Sequence, residues 1–162
     1  MAVLQKFVRK VKSLLGGSAG GVIQKTPRII PASVHRIRPE LVAWQAIRTC
    51  EALQRRGFKA YVVGGAVRDM LLGVKPKDFD VATDATPEEV KACQKRAIII
   101  GRRFRLVHVI FGREVIECAT FRSLDTEGVR KDAAGRVISD NIFGEMWEDA
   151  ARRDFTINAL YY

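Results

Sequence analysis

The chain has 162 residues, 48% of them hydrophobic, which suits one globular unit with a real core and excludes a disordered or low-complexity chain. Its net charge is +10, unevenly spread: residues 1–39 carry eight Lys or Arg and no acid, and the remainder holds 20 basic and 18 acidic residues. The basic signal therefore belongs to an N-terminal arm, and such an arm suits RNA, DNA or an anionic membrane surface.

Val3, Leu4, Phe7, Val8, Val11, Leu14 and Leu15 recur at helical spacing, with Lys6, Arg9, Lys10 and Ser13 on the other face. This predicts a basic amphipathic helix. Gly16 to Gly21 reads as a flexible linker, and Thr26 to Arg38, with Pro27 and Pro31, as an extended connection. Pro39 suits the first turn of a helix running to about Arg56, with Gly57 as its stop. Lys59 to Val63 is a predicted strand, Ala66 to Leu72 a short helix closed by Gly73, and Asp78 to Thr83 a second strand. Thr86-Pro87-Glu88-Glu89 is a capping box that predicts a helix over 87–96. Ala97 to Ile100 is an apolar strand. Arg105 to Phe111 and Glu114 to Phe121 form a hairpin about Gly112-Arg113. Ser123 to Ser139 is polar and expected to be mobile; helices are predicted over Glu145 to Arg152 and Phe155 to Tyr162. The order predicts an α/β (α+β) fold: a mixed sheet of about five strands, with helices on one face and a metal site on the other. Residues 1–28 read as arm and linker, residues 29–162 as the head.

No apolar run reaches the roughly 18 residues of a membrane span, and Lys and Arg interrupt any secretory pattern in residues 1–15. Cys50, Cys93 and Cys118 are odd in number and lack a Cys-x-x-Cys, which predicts reduced thiols and no zinc site; His35 and His108 complete no ligand motif.

The chemistry concentrates in "YVVGGAVRDMLLGVKPKDFDVAT", Tyr61 to Thr83. Gly64 and Gly65 stand at a strand end just before a helix, where backbone N–H groups can approach a phosphate with no side chain in the way. In a strand, Asp78 and Asp80 point the same way, with Phe79 turned to the core. Side-by-side carboxylates repel unless a cation sits between them, and magnesium suits hard oxygen ligands beside phosphates. An Asp-x-Asp alone is more often a solvated strand face; the joint spacing with the glycines raises the metal reading. Glu117, on one face with Val115 and Ala119, is an acid in an otherwise apolar strand and a candidate third ligand; Asp154 competes for that role. His108 is expected to share a face with Leu106 and Ile110 as a satisfied core histidine.

"GGAVRDMLLGVKPKDFDVAT" with the downstream "RRDFTINALYY" resembles the head domain of the bacterial poly(A) polymerase and CCA-adding tRNA nucleotidyltransferase family, a branch of the polymerase-β-like nucleotidyltransferases. The resemblance covers about residues 29–162. It implies transfer with two magnesium ions, in which an RNA 3′ hydroxyl attacks the nucleotide α-phosphate and pyrophosphate leaves. By that resemblance Gly64 and Gly65 hold the triphosphate, Arg68 and Asp69 support the turn, and Asp78 and Asp80 bind magnesium with Glu117 near them. Arg152, Arg153 and Asp154 line the ribose and phosphate side, with Asp154 among the catalytic acids. "IIIGRRFRLVHV" resembles the segment that marks the poly(A) polymerase branch, and its Arg102, Arg103 and Arg105 suit an RNA backbone or a triphosphate; the alternative is a solvated basic turn.

The implied function is adenylate addition from ATP to RNA 3′ ends, with CCA addition to tRNA as the alternative and an inactive nucleotide- or RNA-binding fragment as the reading from another class. No DNA partner is expected. Family members continue into helical neck, body and tail domains, so the chain reads as a truncated head. The implied location is cytoplasmic, with residues 1–15 as a contact to the inner face of the membrane; a mitochondrial transit peptide is the other reading of the arm, against its low Ser content.

Overall fold

The computed structural model describes residues 25–102, 104–124, 130, 131, 137–139 and 143–162. Five strands form the central sheet: β1 (Ala60–Val63), β2 (Asp80–Thr83), β3 (Ala97–Ile100), β4 (Leu106–Phe111) and β5 (Glu114–Thr120), in the spatial order β1-β2-β5-β4-β3. β2 runs parallel to β5 and the other pairs are antiparallel, so the sheet is mixed as expected.

Helices α2 (Trp44–Gln54), α3 (Gly65–Leu72) and α4 (Pro87–Cys93) cover one face. Alternate strand residues meet them: Val62, Val81, Cys118 and Val107 occupy one row across β1, β2, β5 and β4, and all are buried. Ala46 and Leu53 of α2, Val67 and Met70 of α3 and Val90 of α4 close this core. Leu53 is fully enclosed, so Leu53→Ala would cost about 2–5 kcal/mol. The capping box of α4 forms as predicted: Glu89 N–H donates to Thr86 Oγ1 at 3.4 Å, and Thr86 N–H donates to Glu89 Oε2 at 2.8 Å.

The opposite face is only partly covered. Val63, Ala82 and Phe121 are buried there beneath Tyr61, Met146 and Tyr161, with Met146 contributed by α5 (Met146–Ala151). Farther along, Ile98 and Val115 are 49% and 44% exposed.

Several expected elements change. The helix from Pro39 breaks into a 3-10 turn (Pro39–Leu41) and α2, because Val42 and Ala43 are extended and Val42 is buried. A short helix, α1 (Ala32–His35), interrupts the extended connection. α4 ends at Cys93 instead of residue 96, where Gln94 turns extended toward β3. The final helix is reduced to a 3-10 turn, Thr156–Asn158, since the end of the chain runs along β1: Val62 and Tyr162 exchange two backbone hydrogen bonds of 2.8 Å. Within the polar stretch, two short strands, β6 (Arg130–Lys131) and β7 (Val137–Ser139), pair antiparallel. The amphipathic arm and its Gly-rich linker lie outside the described residues. Contacts with the head begin before residue 29: the Lys25 ammonium stands 5.3 Å from the Trp147 ring. A cavity of about 580 Å³ opens beside Pro27–Ile30, on the side of α3 and Trp147.

Candidate active site

β1 ends at Val63, and Gly64 follows with φ +72° and ψ −134°, a conformation that a Cβ would strain. The turn aims the chain into α3, whose first residue is Gly65. The first turn of a helix leaves N–H groups without intrahelical partners and carries the positive end of the helix dipole. Gly64's own N–H is not among those open to a phosphate, because it donates to the Leu160 carbonyl at 3.2 Å. In this structure Gly64 therefore makes the turn, and the N–H groups left for an anion are those of the residues after it. A Cβ at Gly65 would stand 3.4 Å from Arg68 Nη2, in van der Waals contact with that guanidinium. Arg68 is held by Asp69 (Nε to Oδ1, 2.9 Å) and by Asn158 (Nη1 to Oδ1, 3.2 Å). Asn158 was not picked out from the sequence; the 3-10 turn that replaces the expected helix is what brings it to the site.

One row of the open face collects the acids. Val63 pairs with Asp80, Asp80 with Glu117, Glu117 with His108 and His108 with Ile98. In-register neighbours share a face, so Asp80, Glu117 and His108 stand side by side. Asp78 lies before β2, not within it: continuing the register, β2 would meet Gly64, where β1 has already turned away. The alternation still holds, with Asp78 and Asp80 exposed and Phe79 buried between them. The Asp80 carboxyl is pushed above the ordinary range, first by partial loss of hydration where the residue meets the sheet and then by the charge of Glu117, with Arg153 pulling it down and Asp78 adding a smaller push up.

Glu117 has a second neighbour in this row besides Asp80. Its Oε1 lies 3.5 Å from His108 Nε2, and that nitrogen is enclosed with no hydrogen-bond partner among the described residues. His108 is therefore not the satisfied core histidine expected; it belongs to the open face beside the carboxylates. Among the described residues no three His, Cys, Asp or Glu side chains converge in a metal-holding arrangement. The donor set nonetheless fits a hard divalent cation. Asp80 sits in the field of Glu117 and Asp78, and a cation there would offset both its lost hydration, the larger cause of its raised pKa, and the push of the two neighbouring charges.

The "RRDF" residues diverge. Arg153 turns inward: its Nη2 donates to buried Asp149 at 3.0 Å, and its Nη1 donates to the Asn158 carbonyl at 3.3 Å. Nη1 would also lie 3.5 Å from a Cβ at Gly64. Arg152 is exposed, 3.9 Å from Asp149 Oδ1. Asp154 is exposed and accepts from the Phe155 N–H at 2.9 Å. The arginine cluster also splits. Arg105 pairs with Glu88 at the start of α4, on the helix-covered side, and this bond lowers the Glu88 pKa. Arg102 is exposed, and Arg103 lies outside the described residues.

A family model described as "Poly A polymerase head domain" matches residues 60–162. "Poly(A) polymerase I" of Haemophilus influenzae is 49% identical over 140 residues, which is 83% of this chain and 31% of that protein. "CCA-adding enzyme" of Staphylococcus aureus is 37% identical over 117 residues, 72% of this chain and 28% of that one. Among solved structures, the Bacillus stearothermophilus CCA-adding enzyme in complex with CTP has a TM-score of 0.57 and 34% identity, over 76% of this chain and 28% of that one. The chain spans about a third of the length of the curated relatives it matches.

Proposed function

The chain belongs to the poly(A) polymerase head-domain family, and from that premise we propose that it is the catalytic head of a template-independent RNA adenylyltransferase, which adds AMP from ATP to RNA 3′ ends with release of pyrophosphate. One observation carries the reading. Val63, the residue before the Gly64 turn, is the ladder partner of Asp80, and Asp80 is the ladder partner of Glu117. A turn suited to phosphates and a pair of carboxylates thus come together where β1 ends, β2 begins and β5 passes its midpoint, although they come from separate parts of the chain.

In this reading the α3 N-terminus, Arg68 and Arg153 bind the triphosphate. Asp154 accepts from the ribose hydroxyl, with Arg152 alongside. Asp78 and Asp80 would hold magnesium, with Glu117 beside them; bound magnesium would neutralise charge on the phosphates and favour the deprotonated RNA 3′ hydroxyl. Asn158 keeps Arg68 extended toward the turn, and Asp69 offsets its charge. Arg102, which is exposed, would meet an RNA backbone, with Arg103 next to it in the chain. Cytoplasmic action on mRNA ends, and an anionic membrane contact through residues 1–15, rest on the family and the arm's charge pattern; among the described residues no helix is long and apolar enough to cross a membrane.

The test is extension of an oligoribonucleotide by a full-length version of the protein, with ATP and magnesium. Runs of adenylate are expected, lost in Asp80→Ala. Incorporation of CTP followed by ATP at a tRNA end would instead assign CCA addition, the activity named for the similar staphylococcal protein. Saturable nucleotide binding without turnover would leave a binding module.

A further inference from the structure

Asp149 is a buried acid on α5, 6% exposed, in a part of the sequence where only its neighbours Arg152 to Asp154 were expected to matter. Its Oδ2 accepts from Arg153 Nη2 at 3.0 Å and from the Tyr161 hydroxyl at 2.7 Å; its Oδ1 accepts from the Arg122 N–H at 3.4 Å. Tyr161 is itself fixed. It bridges Val63, the last residue of β1, and its ring packs edge-on against Tyr61 and Phe121. The Arg153 guanidinium lies 5.6 Å from the Tyr161 ring, against the Gly64 turn, and its charge is felt at Asp80.

A buried carboxylate is costly unless several donors satisfy it. Here the donors come from three separate segments, and together they determine where one guanidinium stands. A long, flexible side chain loses rotamer freedom whenever it must bind an anion; fixing it beforehand removes that cost from binding.

We propose that Asp149 and Tyr161 are positioning residues, which hold the Arg153 guanidinium against the Gly64 turn so that it meets the β- and γ-phosphates of the incoming nucleotide. The inference rests on the proposed nucleotide site. It adds that the anchoring of Arg153, not only its charge, sets triphosphate affinity. Tyr161 supplies a hydrogen bond and a ring wall, and neither it nor Asp149 touches substrate.

The test uses the 162-residue chain with magnesium and α,β-methylene-ATP, set against AMP, by calorimetry. Tyr161→Phe is expected to weaken binding of the triphosphate analogue about 3- to 10-fold while changing AMP binding less than twofold, because one hydrogen bond to a charged group is lost but the ring stays. Asp149→Asn should act in the same direction and more strongly. In an Arg153→Lys background, Tyr161→Phe should have no further effect on the analogue. Unchanged affinity in Tyr161→Phe, equal weakening for AMP, or additivity with Arg153→Lys would overturn the inference. If Asp149→Asn fails to fold, Tyr161→Phe decides alone, with its thermal midpoint measured alongside. A different pair of outcomes strikes the nucleotide site itself: no saturable binding by the unsubstituted chain, or no loss in Arg153→Ala.

Discussion

Asp80 and Glu117 are direct neighbours across the parallel ladder between β2 and β5, and the charge of Glu117 makes that of Asp80 harder to hold. The relationship sets a measurable trade between stability and metal binding. Without a cation, Glu117→Gln removes repulsion and should raise the thermal midpoint slightly, by about 1–2 °C, because solvent screens so exposed a pair. Magnesium should then raise the midpoint of the unsubstituted protein more than that of the variant. Differential scanning calorimetry with and without magnesium reads both effects; a lower midpoint in metal-free Glu117→Gln would remove the repulsion argument.

Asp78→Ala and Asp80→Ala are expected to lower nucleotidyl transfer in a full-length context by on the order of 10²–10³-fold or more, with the circular dichroism spectrum unchanged. Asp80 should be the more sensitive position, since it lies within the ladder while Asp78 precedes it. Near-normal turnover in either variant would exclude that residue from the chemistry.

Gly101→Ala should destabilise the protein by about 2 kcal/mol or more, lowering the midpoint by about 4–8 °C. Gly101 has φ +81°, and a Cβ there would come within 2.1 Å of the Phe104 carbonyl oxygen. Gly64→Ala meets no such overlap, its nearest neighbour lying 3.5 Å away, so its cost is that of the backbone conformation alone, about 1–3 kcal/mol. Equal melting curves for Gly101→Ala and the unsubstituted chain would contradict the backbone geometry of the β3–β4 turn.

Arg102→Ala should weaken RNA binding across all sequences and reduce the slope of log affinity against log salt by about 1. Arg105→Ala should change that slope little, because Glu88 already engages its guanidinium away from the carboxylate row. Equal slopes for the two variants would mean that Arg105 leaves Glu88 when RNA binds.

In the native state Cys93 is expected to react with a thiol reagent at pH 8 before Cys50 and Cys118. Burial, with help from Glu51, pushes the Cys50 thiol up to about 12, and burial also raises the enclosed Cys118. Cys93 is raised as well, but it is partly exposed. Mass spectrometry of partially labelled protein gives the order; early labelling of Cys118 would mean that the β-sheet core opens on the timescale of labelling.

Local chemistry alone determined the sequence of β1, α3, β2, α4 and the β4–β5 hairpin, because each carries its own signal. Apolar runs end in turn glycines, Thr86 and Glu89 cap each other, and Asp78-Phe79-Asp80 alternates by the pleat of an extended chain. The same signals marked Gly64, Gly65, Asp78, Asp80 and Glu117, since acids and glycines at such places need a reason. Only the tertiary structure decided what these residues meet. The strand order β1-β2-β5-β4-β3 puts Glu117 beside Asp80 and turns His108 from an expected core residue into its neighbour. The predicted final helix gives way because pairing along the open edge of β1 satisfies the backbone of Tyr162 and Leu160, an interaction that helical periodicity in the last residues cannot reveal. That override carries Asn158 to Arg68 and Tyr161 to Asp149. Hydrogen bonds between segments distant in sequence depend on where the strands are laid, and no local pattern of residue types encodes that placement.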